Sequence, residues 1–205
     1  MKKIIFISVF VMLVCAGKVS AQFGVNIGYA LNSINYTNFG GKQNMNGFSA
    51  GLSYDLRIKD EWNIFTGLTY SQFGRKNTER YGLGVETDSY KHGFLDIPIH
   101  AAFVMEVLDD MNISVEAGPK LSYALFGTQT ATLPNGSTKE NIYDKKNNIS
   151  PFNVLAGFGI GIQYNHLRFK MGYDFSLLNQ YSGIGNARAS HGGLSISLGY
   201  IFFRK

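Results

Sequence analysis

Eight stretches of two-residue alternation constrain this chain more than any other feature. Phe23, Val25, Ile27, Tyr29 and Leu31 alternate with Gly24, Asn26, Gly28, Ala30 and Asn32. Phe48, Ala50, Leu52, Tyr54 and Leu56 repeat the pattern, and Ile64, Thr66, Leu68 and Tyr70 follow. Leu95 to Phe103, Ile113 to Leu125, Phe152 to Tyr164, Leu167 to Leu177 and Leu194 to Phe202 supply the other five. A period of two held over about ten residues is a strand with two unlike faces.

The second face decides the architecture. In a soluble sandwich the non-core face meets water and carries Lys, Glu and Thr. Here it carries mostly Gly, Ser, Ala and Asn, with a few isolated charges. The 24 glycines amount to about 12% of the chain, against a usual ~7%. Charged residues make up 16%, below the usual ~25%. Large apolar residues on one face and small ones on the other fit lipid outside and a crowded polar lumen inside. The expected fold class is all-β, an eight-stranded antiparallel up-and-down transmembrane β-barrel. A disordered chain, a coiled coil and a helical bundle are excluded.

The first residues predict a cleaved signal peptide. Lys2 and Lys3 precede an uncharged apolar run from Ile4 to Ala16, and Val19-Ser20-Ala21 ends as a small-x-small cleavage site. The run is too short for a membrane-spanning helix. Cys15 follows Val14, where a lipidated Cys normally follows a small residue, so lipidation is not expected. The expected division is 1–21 signal peptide and 22–205 outer-membrane barrel domain. Cleavage removes Lys2, Lys3 and Lys18 from the 19 basic residues, leaving 16 against 14 acidic, a net charge of +2. The basic balance of the whole chain therefore gives no support to a nucleic-acid partner. The single Cys leaves too, which excludes a disulfide framework or a multi-Cys zinc site.

The connections alternate in length. Links near Asp60-Glu61, Asp109-Asp110 and Asn165-His166 are short. Those spanning about Ile34–Met45, Gly74–Ser89, Gly127–Pro151 and Leu178–Ser190 are long and polar, and are expected as solvated loops. An even strand number places both termini at the short-turn, periplasmic end. A two-residue turn at Asn165-His166 predicts a register: Tyr164 with Leu167, Ile162 with Phe169, Ile160 with Met171 and Phe158 with Tyr173. On the other face Gln163 meets Arg168, Gly161 meets Lys170 and Gly157 meets Asp174. His166 is the weak point, because a type I′ turn prefers Gly there.

No motif points to chemistry. Gly157-Phe158-Gly159-Ile160-Gly161 is G-x-G-x-G inside an alternating strand, whereas a dinucleotide fingerprint is G-x-G-x-x-G before a helix. Gly183-Ile184-Gly185 reads as loop geometry. His92, His100, His166 and His191 have no partner at metal-ligand spacing. Asp88 and Ser89 precede His92, which raises a surface catalytic group, yet sequence proximity is poor evidence for a triad. The expectation is therefore no catalytic, cofactor-binding or metal-binding residue, and no enzyme activity.

The inward charges are Asp55, Asp96, Glu116, Lys120, Arg168, Lys170 and Asp174. Their signs nearly balance, and enclosed ions must pair. Asp96 is expected diagonal to Lys120. Eight strands enclose only enough room for side chains to fill, so a salt-bridged plug is expected rather than a channel. Tyr29, Tyr54, Trp62, Tyr70, Tyr123, Tyr164, Tyr173 and Tyr200 read as interfacial aromatic residues.

Four segments carry a family resemblance. They are Leu68-Thr69-Tyr70-Ser71-Gln72-Phe73-Gly74, Phe94-Leu95-Asp96-Ile97-Pro98-Ile99, Glu116-Ala117-Gly118-Pro119-Lys120-Leu121 and Phe152 to Gly161. Through them the chain resembles the PorT-like outer-membrane β-barrel proteins of Bacteroidota. Phe73 departs from the pattern, where a Lys is common. The resemblance implies an outer-membrane location without established catalytic residues. The name-giving member is linked to secretion of surface proteases, a role not carried over to this chain. The expected function is a non-enzymatic barrel with a structural or surface-interaction role. The alternative is a narrow transport or secretion-accessory component, and a barrel-embedded hydrolase or acyltransferase comes third. Expected partners are outer-membrane lipids, lipopolysaccharide and an extracellular or periplasmic protein, with the chain itself a monomer and no cofactor bound.

Overall fold

A computed structural model describes residues 21–37, 41–81, 84–133, 136–183 and 188–202. Apart from Ala21, the expected signal peptide lies outside the described residues. The strands are β1 (Ala21–Thr37), β2 (Gly41–Lys59), β3 (Trp62–Tyr81), β4 (Gly84–Leu108), β5 (Met111–Leu133), β6 (Gly136–Asn141), β7 (Phe152–Tyr164), β8 (Leu167–Ser176) and β9 (Arg188–Ile201). Each strand pairs antiparallel with its neighbours, and β1 also pairs with β9. Eight strands thus close a ring in the order β1-β2-β3-β4-β5-β7-β8-β9. β6 stands outside the ring and pairs with β5.

The alternation holds as read. Ile27, Leu31, Val115, Ile160, Tyr164 and Leu198 are exposed on the outer wall, while Asp55, Ser71, Asp96, Ser114 and Glu116 are buried within. The β7–β8 register is the expected one at every pair, from Tyr164↔Leu167 to Gly157↔Asp174. The turn resolves the doubt about His166. Only Asn165 there takes the left-handed backbone (φ 52°), which Asn tolerates. His166 instead turns Nδ1 to the Ile201 carbonyl oxygen at 2.7 Å and stacks on Tyr200.

The long connections are corrected. β1 and β2 stay paired out to Tyr36↔Gly41, and β3 and β4 out to Tyr81↔Gly84. β5 runs to Leu133 and returns as β6. Much of what reads as loop is therefore strand that continues past the apolar belt. Beyond the belt the outer face meets water while the inner face still buries Ile34, Tyr36 and Met45, so the hydrogen-bond ladder persists while the lipid-facing apolar signal disappears. β5 also carries an extra residue: Gly93 pairs with Phe126 but Phe94 with Ala124. This bulge leaves Leu125 and Phe126 outside and turns Ala124 and Gly127 inward.

Candidate functional site

Side chains fill the lumen at two levels. At the periplasmic level Arg168 pairs with Asp55 at 2.5 Å and lies over the Phe65 ring, 4.7 Å from its centroid. Its Nε donates to Gln163 Oε1 at 3.0 Å. Above it, Glu116 takes Lys170 at 2.7 Å and His100 at 3.2 Å. Lys120 pairs with Asp174. Six of the seven inward charges thus meet an opposite charge. Register places Asp96 diagonal to Lys120, as expected, but Lys120 reaches across to Asp174 and Asp96 accepts from Ser71 Oγ at 3.0 Å. Glycine makes this packing fit: a Cβ on Gly157 would come 2.5 Å from Asp174 Oδ1 and 3.0 Å from His100 Nε2.

The outer level is apolar. Ile34, Met45, Phe73, Phe94, Ala124 and Ala189 form a buried cluster, with Tyr90, Tyr143, Ile149 and Tyr181 packed against it. Phe94 stacks between His92 and His191, with centroids 5.9 and 5.1 Å away. Two connecting segments lie over the cluster. Ser150 N–H donates to the Gln180 carbonyl at 2.7 Å, Ser182 N–H to Asn148 at 2.8 Å, and Ile149 bridges Tyr181. Tyr143 bonds His92 Nδ1 at 3.2 Å.

The surface-histidine reading is corrected accordingly. His92 is wholly buried and His191 nearly so, and their ring nitrogens face Tyr143 and Asn153 rather than a serine or carboxylate. His100 is an interior histidine as expected. Among the described residues no group of three His, Cys, Asp or Glu side chains could hold a metal. Trp62, Tyr164 and Tyr200 are exposed at the short-turn end and Tyr29 and Tyr123 towards the other, consistent with interfacial anchoring.

Three cavities stand out among the described residues. One of about 170 Å³ lies inside the lumen, between the two levels. A second of about 700 Å³ opens at the periplasmic mouth beside Arg57, Asp60, Glu61 and Glu106. The third, of about 520 Å³, lies at the outer end among Tyr36, Tyr90, Tyr181, Gln43, Gln129 and Glu140. Sequence reasoning missed this third cavity, because Ile142, Tyr143, Ile149 and Tyr181 fall in segments read as solvated loops. Four large apolar side chains amid Asn, Lys and Ser were the available signal.

A family model described as outer membrane protein beta-barrel domain matches residues 16–181. No curated protein matches the chain. Among solved structures the chain is similar to Ail of Yersinia pestis, the attachment invasion locus protein, in complex with the heparin analogue sucrose octasulfate. There the identity is 17%, covering 89% of this chain and 99% of that one, with a TM-score of 0.48. Neisserial surface protein A is 16% identical over 89% and 99%, with a TM-score of 0.48. The outer membrane enzyme PagL is 11% identical over 84% and 98%, with a TM-score of 0.43.

Proposed function

From the premise that this chain belongs to the outer membrane protein β-barrel domain family, we propose a non-enzymatic barrel that acts by surface interaction. The protein is an eight-stranded barrel of the bacterial outer membrane. The observation that carries the functional reading is the double closure of the lumen beneath strands that extend outward. An ion-paired level and an aromatic level fill the lumen with side chains, while β3, β4, β5 and β6 present polar strand beyond the belt. Burial of His92 against Tyr143 supports the non-enzymatic reading. The partners that fit are outer-leaflet lipid and lipopolysaccharide around the wall and an extracellular ligand at the outer end, with the barrel monomeric. The Leu68–Gly74 and Phe94–Ile99 segments support placing the chain among PorT-like proteins of Bacteroidota.

A secretion-accessory role is the second reading. The periplasmic mouth cavity favours it, since its charged rim could hold a periplasmic segment. Planar-bilayer conductance separates both readings from a pore. The full-length mature protein is expected to show no steady conductance. A stable open channel in the wild type would overturn the closed-lumen reading and promote transport.

A further inference from the structure

We propose that the outer-end cavity binds an uncharged pyranose saccharide. This rests on the surface-interaction reading and deepens it. The cavity's about 520 Å³ falls within the ordinary range for small-ligand sites. Its inner side backs onto the buried apolar cluster, which leaves the outer end as its open side.

The lining is amphipathic in the way a sugar is. Tyr36, Tyr90 and Tyr181 supply phenol rings, each with an apolar face and a hydroxyl. Such rings take the C–H face of a pyranose. Gln43 and Gln129 supply side-chain amides that can donate and accept at once, as vicinal hydroxyls require, and Asn147 adds an acceptor oxygen. Glu140 adds a carboxylate that accepts from hydroxyls.

Several of these groups are already held in place. Gln129 Nε2 donates to the Tyr90 hydroxyl at 2.9 Å. Asn147 Nδ2 donates to the carbonyls of Asn141 at 2.9 Å and Ile142 at 3.3 Å, which turns the residue toward the cavity wall. Gln43 Oε1 is buried, and no protein donor among the described residues reaches it. A buried acceptor without a donor is costly, and a ligand hydroxyl would satisfy it.

The same lining argues against other ligands. No Lys, Arg or His lines the cavity among the described residues, and its only charged lining group, Glu140, already pairs with Lys146 at 3.3 Å, so the lining offers sulfated, phosphorylated and acidic sugars no unpaired cation. The three amides and the carboxylate disfavour a purely apolar ligand. The pyranose could belong to a foreign glycan or to lipopolysaccharide in the outer leaflet. Both offer the same chemistry.

The test uses the full mature chain folded in a zwitterionic detergent, because sugar-headed detergents would compete. Saturation-transfer NMR is run with neutral hexose disaccharides, their sulfated counterparts and purified lipopolysaccharide. Neutral disaccharides are expected to bind, with sulfated forms about tenfold weaker. Competition by lipopolysaccharide marks an outer-leaflet source and its absence a foreign glycan. Tyr181→Ala and Gln129→Ala are expected to weaken binding about tenfold. Glu140→Lys, at an exposed side chain, should leave the barrel intact and invert the preference toward sulfated sugars. Absence of binding by folded wild type overturns the proposal, as does binding that neither Gln129→Ala nor Glu140→Lys alters. Adhesion of bacteria displaying the protein separates the two readings. Adhesion that persists without any saccharide binding sinks the pocket alone, whereas absence of both sinks the surface-interaction reading as well.

Discussion

The two levels that close the lumen are built from opposite materials. At the periplasmic level Asp55, Glu116, Arg168 and Lys170 project from strands of the ring and close the space by charge. At the outer level Phe73 and Phe94 come from strands, but Tyr143, Ile149 and Tyr181 come from the segments between them. The first closure therefore belongs to the barrel itself. The second is shared: its buried members sit on ring strands, and the connecting segments lay Tyr143, Ile149 and Tyr181 over them. A binding site built on the second inherits a rigid floor and adjustable walls.

The sharpest way to break this comparison is to leave a charge unpaired in the periplasmic level. Arg168 is nearly buried beside Asp55. Asp55→Ala should cost about 3–5 kcal/mol, the range for removing one partner of a buried pair. Urea unfolding in lipid vesicles, followed by the single Trp62, measures it. The double variant Asp55→Leu with Arg168→Met should recover most of the loss, because it removes both ions. A single variant as stable as wild type would show that charge does not hold this level together.

The same contrast explains what was legible in the sequence. The outer wall, the ring, the β7–β8 register and the inward charges follow from period-two alternation, because lipid and lumen impose opposite demands on successive residues. Asp96 and Lys120 were placed correctly, but their partners depend on reach across the lumen. Asp174 lies on β8, far along the chain from Lys120, and no local pattern reveals that meeting. The outer cap was hidden for a related reason. Ile142, Tyr143 and Tyr181 show no periodicity, and their burial depends on long-range contacts such as Ile149 with Tyr181. The strand extensions were missed because water on the outer face removes the lipid-facing alternation but not the ladder, as at Asn77↔Asp88 and Thr78↔Thr87.

A cavity cut into the outer level gives the next largest effect. Phe94 is almost wholly buried between two histidine rings and Phe73. Phe94→Ala removes its packing and leaves a hole, at a cost of about 3 kcal/mol in the same unfolding measurement. Conductance should stay absent, because the ion-paired level below is untouched. A channel opened by Phe94→Ala alone would show that the outer level is the sole seal, and the comparison of two independent closures would fail.

The smallest effect is a pH dependence confined to the outer level. Tyr36 lies past the apolar belt near the outer end of β1, and burial, with Tyr90 beside it, pushes its hydroxyl up to about 12. Burial drives Tyr143 up as well. A hydroxyl whose folded pKa exceeds its unfolded value near 10 holds its proton longer in the folded state. Its contribution is complete below pH 10 and is lost as pH rises from there toward 12. For Tyr36 the loss at about pH 11 is roughly 1 kcal/mol. Phenolate absorbance should therefore show tyrosines titrating late, with saccharide binding at the outer cavity fading over the same interval. Tyr36→Phe should remove its share of that late titration while keeping the ring. The ring beneath should stay folded through this window. Loss of the whole barrel in the same interval would mean that the outer level is not separable from the ring.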